Sequence, residues 1–132
     1  MIFDVVAHLD EQLVTNEVLA LHLSDYNGSP AIAFMTAPMD MEMPYMVTSV
    51  VGSKADDNYI TDRSLYAIDI YVDNGDIALP AVIAKEVIKL FHMTRLPIEI
   101  GLTMWKEWDN YVVEADASTI HYHVEFGFRH YQ

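Results

Sequence analysis

The chain has 132 residues, a length that predicts one domain over residues 1–132. Of these residues 52% are hydrophobic, which excludes a disordered chain. Its 7 Lys and Arg against 20 Asp and Glu give a formal net charge of −13, which argues against a binder of DNA phosphates or of anionic lipid. The sequence contains no cysteine, so it has neither a disulfide framework nor thiol chemistry.

We expect no membrane span and no secretory signal. No apolar run approaches the roughly 20 residues that cross a bilayer, and no basic segment followed by an apolar core opens the sequence. These features favour an intracellular site of synthesis. The excess of carboxylates favours either solubility or a surface that stays close to DNA without adhering to it.

The first half of the chain predicts two helical segments followed by strands and loops. Apolar residues recur at helical spacing from residue 2 to residue 13, and Thr15 and Asn16 are suitable capping residues for a short second piece. Residues 24–30 form a turn cluster, and prolines keep residues 35–44 out of a central strand. In chain order we predict a helix at 2–13, a helical piece at 17–23, and strands at 31–34, 45–51 and 63–72.

The second half contains the strongest patterns. Residues 77–93 have an apolar stripe at helical spacing and follow Asp76, a candidate N-cap. Residues 119–131 alternate strictly between apolar and polar side chains, as a strand with one buried face does. Between these two elements we predict a strand at 98–102, a polar bend around Trp105 and Trp108, and a short strand at 111–113.

This order of elements predicts an α+β fold with a single antiparallel or mixed sheet and two helices packed on one face. Strands that follow one another along the chain usually pair antiparallel. The helix at 77–93 should cover the apolar faces of the strands at 63–72 and 119–131. The opposite face of the strand at 63–72 is only partly polar, so we predict that another subunit covers it.

One group of residues suits a metal ion. His121, His123 and Glu125 share the polar face of the last strand, and two histidines with one carboxylate are a known ligand set. Polar strand faces carry such residues far more often without a metal. Glycine-rich phosphate loops, hydrolase motifs and a basic patch with interleaved aromatics are all missing from the sequence. We therefore predict no metal, no cofactor and no catalytic residues, and an assembly or interaction protein rather than an enzyme.

The order of elements resembles that of a known family. After the N-terminal helix and a proline-bounded loop, the chain has the strand Ser64-Leu-Tyr-Ala-Ile-Asp-Ile-Tyr-Val72, the helix Ala81-Val-Ile-Ala-Lys-Glu-Val-Ile-Lys-Leu90 and the late strand His121-Tyr-His-Val-Glu-Phe-Gly-Phe-Arg129. Together these segments resemble the tail terminator, or tail completion, proteins of long-tailed bacteriophages.

The resemblance implies a small α/β subunit that forms a hexameric ring at the head-proximal end of the tail tube. Such a ring ends tube polymerisation and joins the tail to the head connector. The expected partners are further copies of the chain, the tail tube protein and the head–tail connector protein, all within the tail or neck of the virion. DNA would pass nearby without specific binding, and no membrane would be involved.

A closed ring needs head-to-tail contacts between subunits. Two regions suit such contacts: the half-apolar face of the strand at 63–72, and the acidic loop at 52–62, which could reach a neighbouring ring of the tube. The candidate inter-subunit contacts are therefore Leu65, Ala67, Tyr71, Asp56, Asp57 and Tyr59.

Three other functions remain open from the sequence. Another phage neck or connector subunit differs little from a tail terminator at this level. An acidic DNA mimic would instead inhibit a nucleic-acid-binding protein and would bind a basic partner in a salt-sensitive way. A metal-dependent enzyme using His121, His123 and Glu125 would retain stoichiometric metal after purification.

Overall fold

The computed structural model describes residues 2–55, 61–97, 99 and 101–131. Its helices are α1 (Ile2–Val14), α2 (Glu17–His22) and α3 (Leu79–Phe91). Its strands are β1 (Asp25–Tyr26), β2 (Ser29–Pro30), β3 (Ile32–Phe34), β4 (Tyr45–Ala55), β5 (Thr61–Asp73), β6 (Thr94–Arg95), β7 (Gly101–Val112) and β8 (Thr119–Tyr131). None of the helices among these residues is long and apolar enough to cross a membrane.

The larger sheet has the strand order β3-β4-β5-β8-β7-β6. β3 runs parallel to β4, and the other neighbouring strands in this order pair antiparallel. β5 and β8 form its centre and pair along their whole length, from Thr61 opposite Tyr131 to Asp73 opposite Thr119. The last of the described strands in sequence thus lies in the middle of the sheet.

The prediction of a single sheet with two helices is wrong. The described part of the chain has two sheets and three helices, and the larger sheet is a curled, mixed half-barrel. The second sheet is a hairpin of β1 and β2, where only a turn cluster was expected. Asn27 and Gly28 at its tip have φ angles of 52° and 84°, which allow a two-residue turn to join paired strands. The third helix, α2, corresponds to the helical piece predicted at 17–23, which was not counted among the two helices packed on the sheet. The Asn16 side chain caps it by accepting a hydrogen bond from the Leu19 N–H at 2.9 Å.

β7 is more continuous than the sequence suggested. One strand, Gly101–Val112, covers the predicted polar bend and the first two residues of the predicted strand at 111–113. Of the predicted strand at 98–102, residues 98 and 100 lie outside the described residues. The register of β7 against β8 shifts between Lys106 and Trp108. Such an irregularity bends a strand without ending it, which explains why the sequence pattern breaks at this point.

The core lies between the helices and one face of the larger sheet. The prediction that the helix after β5 covers the apolar faces of β5 and β8 is confirmed. Phe91 of α3 meets Tyr66 of β5 and Phe126 of β8 edge to face, with ring centroids 6.2 Å and 5.6 Å away. The helix begins at Leu79 rather than at residue 77, and Ile77 is 72% exposed in the turn before it.

A polar contact ties α1 to the sheet beneath the core. Asp10 of α1 accepts hydrogen bonds from the Tyr66 hydroxyl and from Thr48 Oγ1, the second at 3.1 Å. Burial raises the pKa of Asp10 even though these two bonds favour its carboxylate. Burial and the adjacent Asp10 carboxylate raise the pKa of Tyr66 well above its ordinary value. The Tyr66 hydroxyl therefore keeps its proton and donates a hydrogen bond to Asp10.

We expect Tyr66→Phe to lower the free energy of unfolding by roughly 1–2 kcal/mol, because it leaves a half-buried carboxylate with one donor fewer. The measurement is urea denaturation followed by circular dichroism. The matched control is Tyr26→Phe, which removes a hydroxyl that donates to Asp40 Oδ1 at an exposed site. The control should leave the denaturation midpoint unchanged. Equal midpoints for both variants would show that the Asp10 contact does not stabilise the fold.

Candidate functional site

Polar and aromatic side chains gather on the face of the larger sheet opposite α3. They come from the central strands β5 and β8, at positions that alternate with the buried core residues of the same strands. In the register of this pair, Asp69 lies opposite His123, and Tyr71 lies opposite His121. We call Asp69, His121 and His123 the histidine–aspartate cluster.

Both imidazole rings of this cluster contact the same carboxylate oxygen. Asp69 Oδ1 is 2.5 Å from His121 Nε2 and 2.7 Å from His123 Nδ1. The second ring nitrogen of each histidine also faces a carboxylate: His121 Nδ1 is 2.6 Å from Glu114 Oε1, and His123 Nε2 is 3.8 Å from Glu125 Oε1. Each histidine is therefore held between two acidic side chains.

Aromatic rings border the cluster on two sides. Tyr71 stacks on the His121 ring with centroids 4.4 Å apart and on Tyr45 with centroids 5.0 Å apart. On the other side, the Trp108 ring lies 4.9 Å from that of His123, and its Nε1–H donates to Glu125 Oε2 at 2.7 Å. These contacts fix the orientations of both imidazoles, since a ring held by stacking and by hydrogen bonds has few alternative rotamers.

The charges of the cluster follow from its contacts. Burial opposes ionisation of Asp69, but the hydrogen bonds from His121 and His123 outweigh it and lower the pKa of Asp69 to about 2. Burial also opposes protonation of His121, yet its bonds to Asp69 and Glu114 raise its pKa. The bond to Asp69 raises the pKa of His123 against the effect of burial. Asp69 is consequently ionised at neutral pH and attracts cationic groups.

Tyr71 does not ionise under ordinary conditions. Burial raises its pKa to about 12, and the charges of Asp69 and Glu114 add to the effect. Its phenol is a neutral wall of the cluster rather than an acid or a base, because general acid–base groups need a pKa near the working pH.

The structure brings together part of the ligand set suggested by the sequence. His121 and His123 do converge, but Asp69 rather than Glu125 shares their contact point. The sequence alone did not single out Asp69, because its position beside the histidines depends on the pairing of β5 with β8. The available signal was that Asp69 alternates with core residues in a strand long enough to pair with residues 119–131.

The predicted inter-subunit contacts fall into two groups. Leu65 and Tyr71 are half-buried, whereas Ala67 is only 1% exposed and offers almost no surface of its own. The candidates in the acidic loop, Asp56, Asp57 and Tyr59, lie outside the described residues. The assignment of both groups to subunit contacts remains a prediction.

The fold has counterparts among solved structures. No protein-family model matches the chain, and no curated protein does. A chain in the structure of the virion of a native gene transfer agent particle matches with a TM-score of 0.72 at 17% identity, over 94% of this chain and 92% of that one. A second solved structure matches with a TM-score of 0.58 at 12% identity, over 98% of this chain and 94% of that one. The chain thus shares its fold, over nearly its full length, with a component of a virion particle.

Proposed function

We propose that the chain is a virion structural protein of a tailed phage or phage-like particle. In this proposal it is a tail terminator: it forms a ring at the head-proximal end of the tail tube, ends tube polymerisation and joins the tail to the head connector. The observation that carries the proposal is the fold shared with a chain of a gene transfer agent virion, which spans almost all of both chains. The order of elements that resembles the tail terminators gives the finer role.

The exposed apolar residues suit a ring. Near the edge strand β3, Phe34 is 48% exposed, Met35 58% and Met39 fully exposed. Near β7, Tyr111 is 45% exposed and Val113 is 98% exposed. β3 and β7 are separated by four strand-to-strand steps, roughly 19 Å at about 4.8 Å each. A head-to-tail, ring-closing contact joins two different parts of the subunit surface, and these two groups of exposed apolar residues suit it.

The charge of the chain fits a conduit for DNA. A net charge of −13 repels phosphates over a Debye length of about 8–10 Å at physiological salt. A ring built from such subunits would surround DNA without holding it, so that the genome can leave through the tail.

The proposal predicts the phenotype of a particle that lacks the chain. A lysate of a deletion mutant, viewed by negative-stain electron microscopy, should contain headless tubes longer than the wild-type tail beside DNA-filled heads. Supplying the wild-type chain in trans should restore tails of normal length. Val113→Glu should fail to restore them, because it puts a charge into the apolar surface near β7. The matched control is Leu21→Glu, which also replaces an exposed aliphatic side chain with glutamate, at an 83% exposed position on α2. This variant should restore tails of normal length.

Other phenotypes would contradict the terminator role. Tails of normal length that fail to attach to heads would assign the chain to another neck or connector subunit. Intact, infectious particles would overturn the virion role and favour the acidic DNA mimic. Restoration by Val113→Glu would place the subunit contact elsewhere on the surface.

A further inference from the structure

The histidine–aspartate cluster has the geometry of a metal site. Its three ligand atoms, one each from Asp69, His121 and His123, lie within 4.8 Å of one another. Ligands at about 2.0–2.1 Å from a tetrahedral zinc ion are roughly 3.3 Å apart, so small side-chain movements would bring these atoms around an ion. All three belong to the two central strands of the sheet, whose backbones are fixed by continuous pairing. A site on such rigid elements needs little rearrangement to bind.

The hydrogen-bond pattern shows that both imidazole rings converge on one carboxylate oxygen. Asp69 Oδ1 faces His121 Nε2 at 2.5 Å and His123 Nδ1 at 2.7 Å, so both rings direct a nitrogen at a single oxygen atom. If both nitrogens carry hydrogens, the two N–H groups donate to the two lone pairs of this one oxygen. With the two nitrogens deprotonated, the same convergence directs three lone pairs at a metal ion.

The surroundings resemble the outer shell of metal-bound histidines. A metal-ligating histidine generally donates its second ring N–H to a carboxylate, which orients the ring and raises its basicity. His121 has this partner in Glu114, with Nδ1 and Oε1 2.6 Å apart. Glu125 faces the second nitrogen of His123 at 3.8 Å and is itself held by Trp108. The two outer carboxylates also make the site attractive to a cation.

The donor set selects the class of ion. Magnesium and calcium prefer oxygen ligands alone, whereas two imidazoles and one carboxylate suit zinc and neighbouring divalent ions such as cobalt and nickel. The side chains of the cluster are 10–20% exposed, which leaves a path for an ion from solvent. Three protein ligands leave a fourth position for water or for a further carboxylate.

We propose that Asp69, His121 and His123 bind one divalent transition-metal ion, with zinc as the expected occupant, and that this ion links β5 to β8 at the centre of the sheet. Because a ligand that binds the folded chain more tightly than the unfolded chain stabilises the fold, zinc bound at this site would raise the melting temperature. This proposal is independent of the virion role, since it rests on the cluster alone.

The test is titration of the untagged full-length chain, stripped of metal by a chelator, with zinc chloride in an isothermal titration calorimeter. We expect one zinc ion per chain and a higher melting temperature at saturation. Cobalt in place of zinc should give the visible absorption of a site with nitrogen and oxygen ligands. His123→Ala should weaken zinc binding by about 100-fold or more, since loss of an outer-shell partner alone typically costs about 10–100-fold. His22→Ala removes an imidazole from α2 and should bind zinc as the wild type does.

A second variant covers the case in which His123→Ala does not fold. Glu114→Gln keeps all three ligands, changes only the partner of His121 Nδ1, and should weaken zinc binding about 10-fold while shifting the cobalt spectrum. Absence of saturable zinc binding by the wild type would overturn the proposal. So would unchanged affinity in whichever of the two variants folds.

Discussion

Phe126→Ala should destabilise the folded chain by about 3–5 kcal/mol, the range for an aromatic residue removed from a close-packed core. Phe126 is fully buried on β8, and its ring packs edge to face against Phe91 of α3 with centroids 5.6 Å apart. The substitution leaves a cavity between the central strand of the sheet and the helix that covers it, and β8 cannot move in without breaking its pairing with β5 and β7. The measurement is the free energy of unfolding from urea denaturation.

The control for this substitution is Phe34→Ala, the same chemical change at a side chain that is 48% exposed on β3. Surface substitutions usually change stability by no more than about 0.5 kcal/mol. A loss in Phe126→Ala that does not exceed the loss in Phe34→Ala would mean that the packing of α3 on β8 contributes little to the fold.

Gly127→Ala should cost about 2–3 kcal/mol, as overpacking does when the neighbours cannot give way. A Cβ atom at Gly127 would lie 2.6 Å from Cζ2 of Trp105 and 2.7 Å from Oε1 of Glu107. The Trp105 indole lies across the glycine, donates its Nε1–H to Glu107 Oε1 at 2.6 Å, and has the Arg129 guanidinium 5.9 Å from its ring centroid. To admit one methyl group, the indole must leave this position.

A double-mutant cycle separates this clash from other effects of the methyl group. In a Trp105→Ala background the indole is gone and Glu107 loses the N–H group that holds its carboxylate near Gly127, so adding Gly127→Ala should cost far less than in the wild type. Gly75→Ala is the matched control, because a Cβ atom there meets nothing within 4 Å. Gly127→Ala should also change tryptophan fluorescence, since the Trp105 indole is displaced towards water. Additive costs in the cycle would show that Trp105 does not determine the need for glycine.

Periodicity predicted the elements that bury one complete face. The strands around Ile68 and Val124 and the helix around Val87 each repeat apolar residues at their own period, and each lies where that pattern predicts. The hairpin at Asn27 and the long β7 were missed for different reasons. β1 and β2 have two residues each, too few to show a period, while the register shift near Trp108 interrupts the alternation of β7.

The candidate site depends on information that local pattern does not contain. His121 and His123 are two residues apart on one strand, so the sequence alone puts them on one face. Asp69 precedes them by about fifty positions, and it reaches them only because β5 pairs with β8 in a particular register. That register is set by the packing of the whole sheet, as are the stacking of Tyr71 and the placement of Glu114.

The position of β8 has a consequence for synthesis of the chain. A ribosome adds residues from the N-terminus onwards, and β8 is the last of the described strands to emerge, although it separates β5 from β7. Until β8 emerges, β5 and β7 each have one edge whose backbone N–H and C=O groups lack their native partners in β8. Closure of the sheet then brings together segments that are far apart in sequence, a slow step for any fold. A chain that has not yet formed β8 therefore cannot present the native sheet to any partner.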